Sequence, residues 1–157
     1  MSVSIREFRR DLRRIERHVI GHLKDQTACC GVTAAQCHVL LELEEAEEST
    51  LNGLADRLRL DSSTLSRTVE SLVRSGMVDR SANPRDRRAV ALRLTPVGMR
   101  KVQSINESCD VFYRDVFEGI PADRHAALVD SIKTVADILS EGPAPQGRDA
   151  PCACAKE

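Results

Sequence analysis

Six cysteines in 157 residues are the side chains with the most chemistry to offer, and four of them come in close pairs: Cys29 beside Cys30, and Cys152 separated from Cys154 by Ala153 alone. Thiolates are soft donors that favour thiophilic ions over magnesium or calcium, and an exposed thiol of low pKa is also what an oxidant attacks first. Adjacent thiols are poorly placed to chelate one ion without a third ligand from elsewhere. Cys37 falls on the apolar side of a predicted helix, where plain core packing uses sulfur equally well, and Cys109 in a later helix is open to the same reading. A second constellation is Asn83-Pro84-Arg85-Asp86-Arg87-Arg88, a turn with three guanidiniums on it. An arginine on a protruding hairpin suits the concentrated negative potential of a narrow minor groove, although arginines in a turn are also commonly a solvated surface. The third is Ser62, Ser63, Thr64, Ser66 and Arg67. Small hydroxyls allow close approach to a major groove, and Arg67 can reach a guanine edge or a phosphate.

These residues need elements to carry them, and the apolar spacing supplies candidates. Leu51, Leu54, Ala55 and Leu58 repeat at i, i+3, i+4, i+7, which predicts a short amphipathic helix closed by a turn at Leu60. A second helix begins at Asp61 or Ser62, either able to cap it, and buries Leu65, Val69, Leu72 and Val73 before Gly76 ends it. Its opposite face holds the hydroxyls, Arg67 and Glu70. Met77–Arg80 and Val90–Leu94, the latter alternating Val90, Leu92 and Leu94, read as two strands around the arginine turn. Two short helices followed by such a hairpin form a winged helix-turn-helix.

Flanking segments are helical. Ile5, Phe8, Leu12, Ile15, Val19 and Leu23 fall at steps of three or four, so residues 4–24 form a long helix whose narrow stripe suits packing against a partner helix. His18 and His22 lie one turn apart, half a metal site or an incidental surface pair. Asp25 to Gly31 reads as a connector holding Cys29 and Cys30. Thr33 and Gln36 match a capping box for a helix over about 34–46, and Glu44 to Glu48 read as an acidic link whose carboxylates solvate a turn. After the wing a long helix runs from about Pro96 to Phe117, Gly119-Ile120-Pro121 breaks it, and Pro121 opens a last helix burying Leu128, Ile132, Val135 and Leu139. From Gly142 onwards the chain is rich in Pro, Ala and Gly without periodicity, a flexible tail.

The segment from Asp86 to Gly98, DRRAVALRLTPVG, resembles the wing signature of the MarR (multiple antibiotic resistance regulator) family, D-x-R-x-x-x-L-x-L-T-x-x-G, at every fixed position. Leu72 to Arg80 resembles the family's L-x-x-x-G-h-h-x-R run, where h is apolar, and the likeness extends over roughly residues 5–140. The resemblance implies a homodimeric transcriptional regulator, usually a repressor, in which Asp86 holds the wing and Arg88 enters the minor groove. It implies a mainly α fold with a small β-hairpin wing, a winged helix-turn-helix core over about 33–97 flanked by dimerisation helices over about 4–24 and 98–141. Residues 1–141 then make one domain and 142–157 a cysteine-containing tail. A two-fold dimer would set its recognition helices roughly 34 Å apart and call for a pseudo-palindromic operator in double-stranded DNA.

Composition bounds these readings. The chain carries 41% apolar residues, one domain's worth, and no apolar run approaches the roughly 18 residues that span a bilayer. The start lacks a signal peptide's apolar core, so a soluble cytoplasmic protein without a membrane partner is expected, in which a disulfide framework is not. Formal net charge is −1, but Leu51–Lys101 holds eleven basic against five acidic residues, leaving −7 for the rest and a local field for phosphates.

The family's effector pocket generally lies where the first two helices and the helix after the wing meet the DNA-binding lobe. Cys29, Cys30 and Cys37 belong to the first two and Cys109 to the third. Some of these thiolates, with Cys152 and Cys154 folding back from the tail, are therefore expected to sense a small effector. Such an effector would be a soft metal or metalloid ion such as arsenite, mercury or copper(I), or an oxidant. The alternative is a small aromatic or phenolic ligand with incidental cysteines. The family's zinc sensors use histidines on the helix after the wing, and none occurs between Gly98 and Gly119; its peroxide sensors use a cysteine near the start of the first helix, and none precedes Cys29. An enzyme is not expected. A thiol-based metal carrier or redox protein lacks a C-x-x-C in a βαβ pattern and any visible nucleophile–base pairing. A non-DNA interaction module does not fit the basic segment.

Overall fold

The computed structural model describes residues 4–82 and 90–141. Its elements follow in the order α1 (Ile5–Cys30), α2 (Ala34–Ala46), β1 (Ser49–Thr50), α3 (Leu51–Leu58), α4 (Ser62–Arg74), β2 (Val78–Ala82), β3 (Val90–Leu94), α5 (Pro96–Glu118), a 3-10 turn (Ala122–Arg124) and α6 (His125–Glu141). The result is a mainly helical chain with one small antiparallel sheet, as the sequence predicts.

Local chemistry sets most boundaries. Thr33 and Gln36 form a reciprocal cap, the Thr33 hydroxyl accepting from the Gln36 N–H (3.2 Å) while Gln36 Oε1 accepts from the Thr33 N–H (2.7 Å). The Gln36 amide also donates to Ser71 Oγ (3.0 Å), fastening α2 to α4. Thr50 caps α3 by accepting from the Gly53 N–H. The predicted connector at 25–31 is instead the end of α1, because nothing before Gly31 breaks a helix; Gly31 does so at φ +69. Cys29 and Cys30 therefore belong to the helix.

The acidic link does more than solvate a turn. Ala46–Glu48 makes a γ-turn centred on Glu47 (φ 59), with the Glu48 N–H donating to the Ala46 carbonyl, and the chain then enters β1, a strand the sequence reading missed. β3 lies at the centre of the sheet, pairing with β1 (Ser49 opposite Leu92) and with β2 (Val78 opposite Leu94, Ala82 opposite Val90). Arg93 of β3 donates through Nε (2.6 Å) and Nη2 to the Glu48 carboxylate, and Asn106 donates to Glu44 (3.0 Å). The first wing strand runs two residues further than predicted. The expected alternation along β3 fails at its outer end: Ala91 and Leu92 are buried and Val90, which pairs with the exposed Ala82, is exposed.

The core joins all three layers of this lobe. Leu40 and Leu43 of α2, Leu54 of α3, Leu65, Val69 and Leu72 of α4, Val78 and Leu92 of the sheet, and Val102 and Ile105 of α5 are buried together. Each such side chain contributes about 1.5–3 kcal/mol relative to exposure. The L-T-x-x-G segment has a mechanical reason. Thr95 Oγ1 accepts from the Gly98 N–H (3.1 Å), capping α5, and donates to the Gly76 carbonyl (2.5 Å), while the Thr95 N–H donates to the Met77 carbonyl (3.0 Å). A Cβ at Gly98 would run into that Met77 carbonyl, so only glycine lets α5 lie this close to the α4–β2 corner.

The chain falls into two compact units, Met1–Asp110 and Val111–Glu157, dividing inside α5. In the second, His125 Nε2 lies 3.0 Å from the Phe117 carbonyl and 2.9 Å from that of Ile120, and its ring packs edge-on against Phe117. Pro121 precedes the 3-10 turn rather than opening α6, and the expected burial along α6 is only partial. Leu128 and Val135 are half-buried, whereas Ile132 is 57% and Leu139 54% exposed. On α1, Ile5, Phe8, Leu12 and Ile15 are likewise exposed. Among the described residues no helix is long and apolar enough to cross a membrane.

Candidate nucleic-acid interface

The start of α4 is a polar surface held by its own hydrogen bonds. Asp61, not Ser62, is its cap: Oδ1 accepts from the Thr64 N–H (2.8 Å) and from the Ser63 hydroxyl (2.6 Å). The Ser63 hydroxyl, then the Thr64 N–H and hydroxyl, hold this carboxyl well below the usual carboxylate range. Leu65, Val69 and Leu72 anchor the helix in the core, so Ser62, Ser63, Thr64 and Arg67 face solvent from its first two turns, and Ser66 is half-buried beside them. Unpaired N–H groups and the helix dipole add partial positive charge at that end. Thr68 Oγ1 turns inward to the Thr64 carbonyl (3.0 Å) and is not part of the display. With its proton on Asp61, the Ser63 hydroxyl meets a ligand as an acceptor, whereas Arg67 is purely a donor.

Beside this helix is a recess of about 330 Å3 lined by Thr50, Leu51, Asn52, Ser66, Arg80, Val90 and Leu92. It joins the start of α3, the inner edge of α4 and the base of the wing. Sequence reasoning missed Asn52, and it noted Arg80 only as the end of the L-x-x-x-G-h-h-x-R run, since the two meet in this recess only when β1–β3 pairing brings the α3 start beside the hairpin. Arg85, Asp86, Arg87 and Arg88, expected to form and hold the wing tip, lie outside the described residues.

Of the six cysteines, Cys37 and Cys109 are the two whose side chains are described. Cys37 is 2% exposed in the core between α2 and its neighbours, and Cys109 is half-buried against the same core. The side chains of Cys29 and Cys30, and all of Cys152 and Cys154, lie outside the described residues. His18 is exposed and His22 half-buried on α1. Among the described residues no three His, Cys, Asp or Glu side chains are grouped to hold a metal ion. The burial of Cys37 agrees with the packing use that its place on the apolar side of α2 allowed.

A profile of the MarR family matches residues 31–89. The chain is 27% identical over 103 residues to the HTH-type transcriptional regulator YdgJ of Bacillus subtilis, covering 66% of this chain and 63% of that protein's length. It is 30% identical over 128 residues to the multiple antibiotic resistance protein MarR of Escherichia coli, covering 75% of this chain and 86% of MarR. The solved structure of a cysteine-to-serine mutant of that MarR complexed with operator DNA superposes with a TM-score of 0.68 at 26% identity, covering 85% of this chain and 99% of the MarR chain. Fold, motifs and relatives converge: the chain belongs to the MarR family, whose members are transcriptional regulators rather than enzymes.

Proposed function

We propose that this protein is a homodimeric repressor that binds a pseudo-palindromic operator in double-stranded DNA through α4 and the wing. The observation that carries the reading is the start of α4, where Ser62, Ser63, Thr64 and Arg67 project from a helix locked into the core by Leu65, Val69 and Leu72. Ser66 sits at the inner edge of that face. Arg85, Arg87 and Arg88 would supply the minor-groove contact, with Asp86 steadying them. The likeness to MarR, whose mutant was solved on operator DNA, supports the same assignment. The exposed apolar stripe of α1 supports a second subunit as its cover.

Footprinting on the protein's own promoter tests this. The expected result is a two-fold-symmetric footprint whose affinity falls steeply with salt. Arg67→Ala should cost about 1–3 kcal/mol of operator affinity. An unchanged affinity would reject the assignment.

For the effector, the pairing of thiols in so short a chain supports a thiophilic ion or an oxidant acting on Cys29, Cys30, Cys109, Cys152 or Cys154, and operator release as its outcome. Pulling helices together at such a site would alter the separation of the two recognition helices, which must match successive major grooves. Titrating arsenite, mercury and copper(I) against the reduced operator complex tests it, and unchanged affinity with each, and with oxidant, retires it. The recess beside α4 favours a second reading. Its apolar floor of Leu51, Val90 and Leu92, with Ser66, Asn52 and Arg80 around it, suits a small aromatic or phenolic ligand. An Arg80→Ala variant that loses its response to such ligands while keeping its response to ions would separate the two.

A further inference from the structure

The first half of α1 is a second basic surface, separate from the reading face. From Ile5 to Arg17 it carries Arg6, Arg9, Arg10, Arg13, Arg14 and Arg17 against three acids, Glu7, Asp11 and Glu16, and all six arginines are exposed. With the basic segment at 51–101 also set aside, the remainder of the chain sums to −10. The arginines are not scattered round the helix. Arg6, Arg10, Arg13 and Arg17 follow at i, i+4, i+7, i+11, a single line about 16 Å long, and Arg6, Arg10 and Arg13 line a shallow recess together with Glu7.

This arrangement works against the helix that bears it. Arg6–Arg10, Arg9–Arg13, Arg10–Arg14 and Arg13–Arg17 are like charges at i, i+4, which repel, and they crowd the N-terminal half, where the helix dipole is already positive. Internal neutralisation is slight. Asp11 is shared by Arg10 (3.2 Å) and Arg14 (3.4 Å), and Arg6, Arg13 and Arg17 have no acidic partner among the described residues. A face meant only for solubility would alternate signs. A line of guanidiniums at one-turn spacing, with no amide, hydroxyl or apolar side chain among them, has nothing to select a sequence and much to offer a uniform row of phosphates.

We infer that the Arg6–Arg10–Arg13–Arg17 line of α1 is a sequence-independent binding surface for the phosphodiester backbone of a nucleic acid, additional to the reading face on α4. An anionic membrane is disfavoured by the position of the apolar stripe. Ile5, Phe8, Leu12 and Ile15 lie roughly 150° round the helix from the arginine line, so a helix resting on lipid by that stripe would aim these arginines into water. The inference goes beyond operator recognition and does not depend on it.

The test uses the full chain carrying Arg67→Ala, which removes the proposed reading contact, and a random-sequence duplex as the probe. In that background, Arg6→Gln, Arg10→Gln, Arg13→Gln and Arg17→Gln together should lower affinity at low salt by tenfold or more and flatten the slope of log K against log salt by about 3.6, near 0.9 for each phosphate no longer neutralised. The same four positions changed to Lys should keep both. Helical circular dichroism and elution volume establish that the Gln and Lys sets share one fold. An unchanged slope in the Gln set would overturn the proposal, as would loss of binding in the Lys set. So would a Gln-sensitive affinity for polyglutamate or phosphatidylserine vesicles with none for the duplex. Failure of the operator reading gives a different signature, in which Arg67→Ala changes binding to neither operator nor random duplex.

Discussion

Asp61 organises the reading face at the scale of one residue, because its carboxylate both ends the turn after α3 and holds Ser63 and Thr64. Its pKa is depressed in the folded protein, so its contribution to stability is fully present above the ordinary carboxylate value and is lost as pH falls through the lower folded value. Asp61→Asn keeps the cap but not the charge. The expected outcome is a melting temperature below wild type at pH 7 and a gap that narrows as pH is lowered below about 4. Thermal denaturation at both pH values checks this, and a gap that widens in acid would contradict the assigned direction. Cys37 provides the second residue-scale prediction. As a buried packing thiol it should cost roughly 1 kcal/mol of stability when changed to Ala and leave any response of the operator complex to thiophilic ions or oxidants intact. Loss of that response with stability preserved would return Cys37 to the sensing thiols.

Among the elements, the joint between α5 and the α4–β2 corner is the tightest. Thr95 joins three backbone groups there, and Gly98 lets the helix approach the Met77 carbonyl. Gly98→Ala is expected to destabilise the protein by about 2–3 kcal/mol, since the obstacle is backbone rather than a movable side chain. Chemical denaturation measures it, and a loss under about 0.5 kcal/mol, the usual scale of a surface change, would mean the joint is looser than drawn. The Glu48–Arg93 pair and the β1–β3 ladder tie the start of α3 to the wing on the other side of the same lobe.

For the whole molecule, the apolar stripe of α1 and, on α6, Val129, Ile132 and Ile138 are among the large apolar side chains exposed in the described residues. A charge placed in the stripe should be incompatible with a subunit partner, so Phe8→Asp with Ile15→Asp is expected to yield a monomer with sharply weaker operator binding. Sedimentation checks the first part and gel shift the second. A dimer that persists would move the interface elsewhere. Because the arginine line faces away from this stripe, its binding to random duplex should survive in such a monomer.

Much of this protein is written in local patterns. Apolar steps of three and four placed α3 and α4, and the Thr33–Gln36 capping box placed α2, to within a residue or two, since cap residues such as Thr33 and glycines such as Gly76 act through their immediate neighbours, and the wing signature brought the family with it. What lay beyond the sequence depended on partners distant along the chain. β1 exists only because β3 lies beside it, Glu48 matters because Arg93 arrives from 45 residues away, and Arg80 joins Asn52 only once the sheet closes. The same limit governed the cysteines, for sulfur type and spacing announce an affinity for soft ligands, but whether Cys37 meets an ion or a leucine is decided by which helices pack over it, and here they leave it buried.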